Sequence, residues 1–294
     1  MKDWDINIYR GVLTGCNEAF IISSEKREEI LRNCTSIEEK QRTAELIRPI
    51  LRGRDIKRYG YEWANLYLIA TFPARKYNIE QYPAVKQYLL SFAYDYLIEN
   101  KNEIVAKNHL EEYCMKKLSQ SGEYITINGK YVLDGNGNKE KGRKKTTNNW
   151  FETQDSISYW DDFNKSKIIY PNMTKYLPFV FDTKQFVTNQ KCFIVIGVNL
   201  AFLTAFLNSS LFKFCFRDSF PELQGGTREL SKIFFDKIPV YRPDKLIENK
   251  FLQLVNSIQE SYTREKAIEI DKELFELYGL TKEEQAQIGF IEIS

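Results

Sequence analysis

The sequence predicts an α+β fold, a mixed strand-rich body with inserted helices and a C-terminal helical tail. Three observations predict it. Short runs of β-branched and aromatic residues, punctuated by glycine and proline, occur before Phe72 and again after Trp150, the pattern of strands and turns. Between them, from Pro83, the apolar residues Val85, Tyr88, Leu89, Phe92, Tyr96 and Leu97 recur at helical spacing. After Pro243, Phe251, Val255, Ile258, Tyr262 and then Ala267, Ile270, Leu274 and Leu277 repeat every three or four residues, as two helices with one narrow apolar seam each do. The boundaries expected from this pattern are a body over 1–243 and a tail over 244–294 that packs on the body or on a partner domain.

Taken in order, Ile6 to Tyr9 and Ala19 to Ile22 are expected as two short strands joined by a hairpin-like turn at Thr14-Gly15-Cys16-Asn17. Ser23-Ser24 and Ser36 are placed to cap helices over 25–32 and 37–47, the second closed by Pro49. A basic loop, Pro49 to Ile56, feeds an aromatic strand region from Tyr59 to Phe72, and a long helix is expected from Pro83. Glu123 to Asn128 and Lys130 to Leu133 form a hairpin. The following stretch, 134–148, is rich in Gly, Asn and Lys and is expected to be a mobile loop. Strands are expected at 167–170, 179–181, 186–187 and 192–196, then a short apolar helix capped by Asn199, and a glycine turn at Gln224-Gly225-Gly226.

Composition excludes several classes. At 43% hydrophobic and 28% charged residues, the chain buries enough surface to offset its ordering entropy, so it is not a disordered polymer. No eighteen apolar residues run uninterrupted, so no membrane span is expected. No basic then apolar leader follows Met1, and Cys16, Cys34, Cys114, Cys192 and Cys215 are scattered with no CxxC. Buried thiols in a reducing cytoplasm are the expectation, without a disulfide framework or zinc site. The net charge of +2 hides an asymmetry: residues 244–294 hold 6 basic and 11 acidic side chains, a net of −5. Of 42 basic and 40 acidic in all, 36 and 29 remain before them, or +7. A basic body suggests a polyanionic partner.

Catalytic chemistry is hard to find. His109 is the only histidine, and no motif pairs it with a nucleophile. Asp134-x-Asn136-x-Asn138 imitates the start of a calcium loop but has Lys139 where glycine is needed and Lys145 where glutamate is needed. Asp244, Glu248 and Lys250 imitate a nuclease set yet lie within two helical turns of one another. Neither GxGxxG nor a phosphate-binding GxxxxGK[ST] occurs. Without a Pro-Pro dipeptide, the chain also lacks the Asp/Asn-Pro-Pro-aromatic clamp that amino-methyltransferases place on a flipped base. No catalytic, cofactor or metal residue is assigned.

Basic clusters remain. Arg52, Arg54, Lys57 and Arg58 form one; Lys139, Lys141, Arg143, Lys144 and Lys145 form a second; Arg228 follows the Gly-Gly turn. Lysine and arginine on phosphates set register, while arginine and amide side chains read base edges. Arg143, Lys144 and Lys145 are the first choice, and Arg228 is the expected reader of a guanine edge, since a glycine turn holds it close to a groove. Its pairing with Glu222 or Glu229 is the alternative.

Asp5 to Phe20, Ile50 to Tyr59, Trp150 to Asp155 with Tyr159, Trp160 and Phe163, Lys167 to Pro171, Phe206 to Ser210, and Gly225 to Leu230 leading to Ile238-Pro239-Val240 resemble, in order, the TaqI-like C-terminal specificity domain. That family is the target-recognition portion of type IIG restriction-modification enzymes and related adenine-specific DNA methyltransferases. The resemblance implies sequence-specific duplex DNA as partner. It also implies a Rossmann-like methyltransferase domain, which binds S-adenosylmethionine, fused upstream or on a separate chain, and in some relatives a nuclease domain before it. On this reading the chain is a piece of a longer enzyme or a specificity subunit. A stand-alone RNA-binding or RNA-processing protein is the rival, since basic and aromatic loops also suit single-stranded bases; a metal-dependent nuclease using the tail carboxylates is a third.

Overall fold

The computed structural model describes Met1 and residues 4–291. They form a mixed α+β fold in two compact units, each made of separated segments: 1–11, 51–64 and 161–294 in the first, 12–50 and 65–160 in the second. The division expected at Pro243 does not appear, because the tail is part of the first unit's core.

The first unit is built on a four-stranded antiparallel sheet in the order Ile6–Arg10, Cys192–Gly197, Lys167–Pro171, Val180–Asp182. Ile194 faces Ile169, which in turn faces Val180. Strands expected at 167–170, 179–181 and 192–196 thus form, shifted by a residue at most. The helix Leu200–Asn208 is buried over its whole length, as a helix apolar all round must be. The tail helices Lys245–Glu260 and Arg264–Leu277 supply what covers it. Phe251, Val255, Ile258, Ala267, Ile270 and Leu274 are buried in one cluster with Phe202 and Phe206, and Leu277 packs at its edge. Tyr262 lies beyond the first helix and is exposed.

The buried helix needs its first N–H groups satisfied. Asn199, the expected cap, instead adopts a left-handed conformation (φ 54°) and its side chain makes no cap bond. Glu248 does the capping, its carboxylate accepting from Ala201 N and Phe202 N at 3.1 and 3.0 Å. Glu248→Ala is expected to cost roughly 0.5–2 kcal/mol, read as the shift in urea midpoint; no shift would mean that the helix start is satisfied in another way.

In the second unit, the strand Ile47–Leu51 pairs with Leu66–Ile69, which pairs with Ile21–Ser23, both antiparallel. Helices Ser24–Arg32 and Ile37–Leu46 start as expected, with Ser23 and Ser36 side chains accepting from Lys26 N and Glu39 N. Two expectations fail. The strands at 6–10 and 21–23 belong to different sheets, so the turn around Gly15 closes no hairpin; it leads into the short helix Asn17–Phe20. The long helix from Pro83 is broken into Pro83–Leu89 and Tyr94–Glu99, because Ser91 turns its hydroxyl and amide back onto Tyr88 O and ends the ladder.

Candidate nucleic-acid interface

Residues 124–141 of the second unit make a small β patch from three segments. Thr126 and Ile127 pair with Tyr131 and Lys130 around Asn128-Gly129, both at positive φ (49° and 75°), the geometry a two-residue hairpin needs. The third segment closes on both: Tyr124 bridges Lys141 and Leu133 bridges Lys139. Side chains alternate in each segment. Ile125, Ile127, Val132 and Glu140 are buried, whereas Tyr124, Tyr131, Leu133, Lys139 and Lys141 are exposed. The inner set packs with Ala93, Leu97, Ala106, Tyr113 and Cys114. Glu140 accepts from Tyr113 Oη at 2.8 Å and from Lys117 Nζ at 2.6 Å, and burial, with this carboxylate beside it, pushes the Tyr113 hydroxyl well above its ordinary pKa.

The lysines of the outer set are therefore not paired with Glu140. Neither Lys139 nor Lys141 is paired with a carboxylate among the described residues. Their ammonium groups lie over tyrosine rings, Lys139 at 3.8 Å from the Tyr131 centroid and Lys141 at 4.4 Å from that of Tyr124. Lys144 and Lys145 are exposed.

The 134–148 segment is held by polar anchors, which corrects the expectation of a mobile loop. The Asp134 carboxylate accepts from the amides of Asn136 and Asn138, so the carboxylate of the calcium-loop imitation serves a turn. Thr146 bonds Gln120 through both its amide and its hydroxyl. At Gly142 the chain runs against the end of the helix Leu110–Leu118, where an added Cβ would sit 2.9 Å from Ser119 O. The alternation stops there, and Arg143 turns inward. Only 5% exposed, it donates from Nε to Leu118 O (2.6 Å), from Nη1 to Thr14 O (2.8 Å) and Glu152 O (2.7 Å), and from Nη2 to Trp150 O (2.7 Å). Burial pushes its pKa down to about 10, which still leaves it charged at neutral pH. Arg143, a first choice from sequence, is thus a structural clamp, because four main-chain acceptors take four of its five N–H donors.

The first unit treats its cations similarly. Arg52 closes a bidentate pair on Asp55. Arg58 donates to Asn208 O, Ile291 O and the Tyr262 hydroxyl, which places it at the C-terminal end of the buried helix, a favourable site for a cation. Lys57 is exposed beside Glu62 at 3.3 Å. Arg54 alone of this cluster is exposed with no hydrogen bond or ion pair to the described residues. Arg228 follows the glycine turn, where Gly225 and Gly226 both have positive φ (77° and 76°), but points inward. Its guanidinium donates to Phe220 O and pairs with Asp218 and Glu222. The expected guanine reader is therefore corrected to a buried guanidinium paired with two exposed carboxylates; of the alternatives, Glu222 is the partner and Glu229 is not.

The residues brought together on one exposed face are Lys139, Lys141, Tyr124 and Tyr131, with Leu133 beside Lys139. The tyrosines carry no charge and escape a search for basic runs. The alternation Tyr124-Ile125-Thr126-Ile127, Tyr131-Val132-Leu133 and Lys139-Glu140-Lys141 is the signal that marks them.

By sequence, the TaqI-like C-terminal specificity domain profile matches residues 48–240. Proteins of curated function give no match. Among solved structures the chain is similar to the type IIL restriction-modification enzyme MmeI, determined in complex with DNA. The identity is 11% and the TM-score 0.52, over 96% of this chain and 34% of that one. It is also similar to the type IIG restriction endonuclease BpuSI, at 13% identity and a TM-score of 0.49, over 92% of this chain and 30% of that one. The chain thus spans about a third of the length of these enzymes, and the likeness to MmeI is one of fold.

Proposed function

The chain belongs to the TaqI-like C-terminal specificity domain family, and from that premise we propose that it binds duplex DNA in a sequence-dependent way as the target-recognition module of a restriction-modification enzyme. Its task is recognition. Lysines on the β patch and the following turn grip phosphates and set register, and a methyltransferase domain, upstream or on another chain, acts on the presented adenine with S-adenosylmethionine. The observation that carries the DNA-binding part is the outward row of Lys139 and Lys141, left without carboxylate partners while Glu140 between them is drawn inward.

Titration of the 294-residue chain with duplex DNA at several salt concentrations tests this. Replacing Lys139, Lys141, Lys144 and Lys145 with alanine is expected to weaken all duplexes alike, and to flatten the slope of log K against log salt by about 0.9 for each phosphate no longer neutralised. A structured RNA bound more tightly than any duplex, or an unchanged slope, would overturn the assignment. Calorimetry with S-adenosylmethionine is expected to show no saturable heat on this chain.

A further inference from the structure

Tyr124 and Tyr131 are 47% and 49% exposed, which is unusual for two large rings side by side on a surface. They meet edge to face, with centroids 5.9 Å apart and planes at 81°, so the edge of one ring takes up a single face of the other and the remaining faces are not stacked on each other. What lies over those faces is charge: the Lys139 ammonium is 3.8 Å from one centroid and 5.8 Å from the other, and that of Lys141 is 4.4 Å from Tyr124. A cation over a ring gains little at an exposed site, so a phosphate draws it off at small cost and uncovers the aromatic face. The occupant this arrangement fits has an anion and a flat π system within one residue's reach of each other. A nucleotide has both, whereas an acidic peptide offers the anion without the plane.

We propose that Tyr124 and Tyr131 form a stacking platform for a nucleobase displaced from the helix, next to the phosphates held by Lys139 and Lys141. The inference rests on the DNA-binding reading above and adds a base-dependent contact that phosphate clamping lacks. It also follows from register: the alternation that turns Glu140 inward puts the two lysines on the same side as the two rings. A base in a paired, stacked duplex has no free face, so the platform selects DNA in which one base is out of the stack.

The test compares three duplexes of one sequence: fully paired, with a single extrahelical thymine, and with an abasic residue at the same extra position. The 294-residue chain is expected to bind the thymine-bulged duplex on the order of tenfold more tightly than the abasic one, from the strength of base–aromatic stacking. Tyr124→Leu/Tyr131→Leu should bring that ratio to one with the salt slope unchanged, and Tyr124→Phe/Tyr131→Phe should restore it, since the ring and not the hydroxyl does the stacking. Equal affinity of the unaltered chain for thymine-bulged and abasic duplexes, with a normal salt slope, overturns the platform alone, as does a ratio that survives the leucine pair. Absence of salt-dependent binding to all three overturns the DNA-binding reading, and the platform with it.

Discussion

Arg143→Ala is expected to lower stability by on the order of 3–5 kcal/mol, since four main-chain carbonyls lose their donor at once and water entering the vacated space recovers only part of the cost. The four acceptors, Leu118, Thr14, and the neighbouring Trp150 and Glu152, come from three stretches of the second unit, so the loss is shared among them. Arg143→Lys is expected to recover less than half, because an ammonium with three donors does not span a planar fork. Urea unfolding measures the loss, and DNA affinity per folded molecule is expected to hold steady. A variant that melts normally but binds duplex poorly would return Arg143 to the DNA-facing role that the sequence suggests.

Lys167→Met should have a comparable effect in the first unit. The Lys167 ammonium and the Asp182 carboxylate are 2.6 Å apart with no exposed side-chain area on either. Lys167 also donates to Phe163 O, and Asp182 accepts from Lys184 N and Phe186 N. Removing the lysine leaves a carboxylate uncompensated inside the fold, at about 3–5 kcal/mol. Lys167→Met/Asp182→Asn removes both charges and keeps a side-chain oxygen for one of the two turn amides, and is expected to regain part of the loss. If the double variant is as unstable as the single one, the cost lies in packing and not in the unpaired charge.

Features set by nearest neighbours were the legible ones. Ser23 and Ser36 announce helix starts because a cap acts within one turn, and the apolar runs 167–171 and 192–197 read as strands because both faces are buried. The break after Leu89 and the fate of the strand at 6–10 depend on where the chain goes next, which periodicity does not encode. The same limit applies to the site. A run such as Lys139 to Lys145 declares its charge but not its facing: Arg143 finds four carbonyls brought by distant segments, while Lys144 beside it stays in water. Arg228 was ambiguous for the same reason, and pairing with Asp218 and Glu222 decides it.

The interleaving of the two units has a consequence for synthesis. The second unit's own segments, 12–50 and 65–160, are made by Trp160, whereas Ile6–Arg10 must wait for Cys192–Gly197 before it has a neighbour, and the buried helix Leu200–Asn208 must wait for Lys245–Glu260. On the ribosome, the second unit can therefore close while the first unit's opening strand is still unpaired, an edge exposed to wrong partners for as long as translation of the remainder takes. Of these segments, the earliest in the sequence is among the last to be fixed.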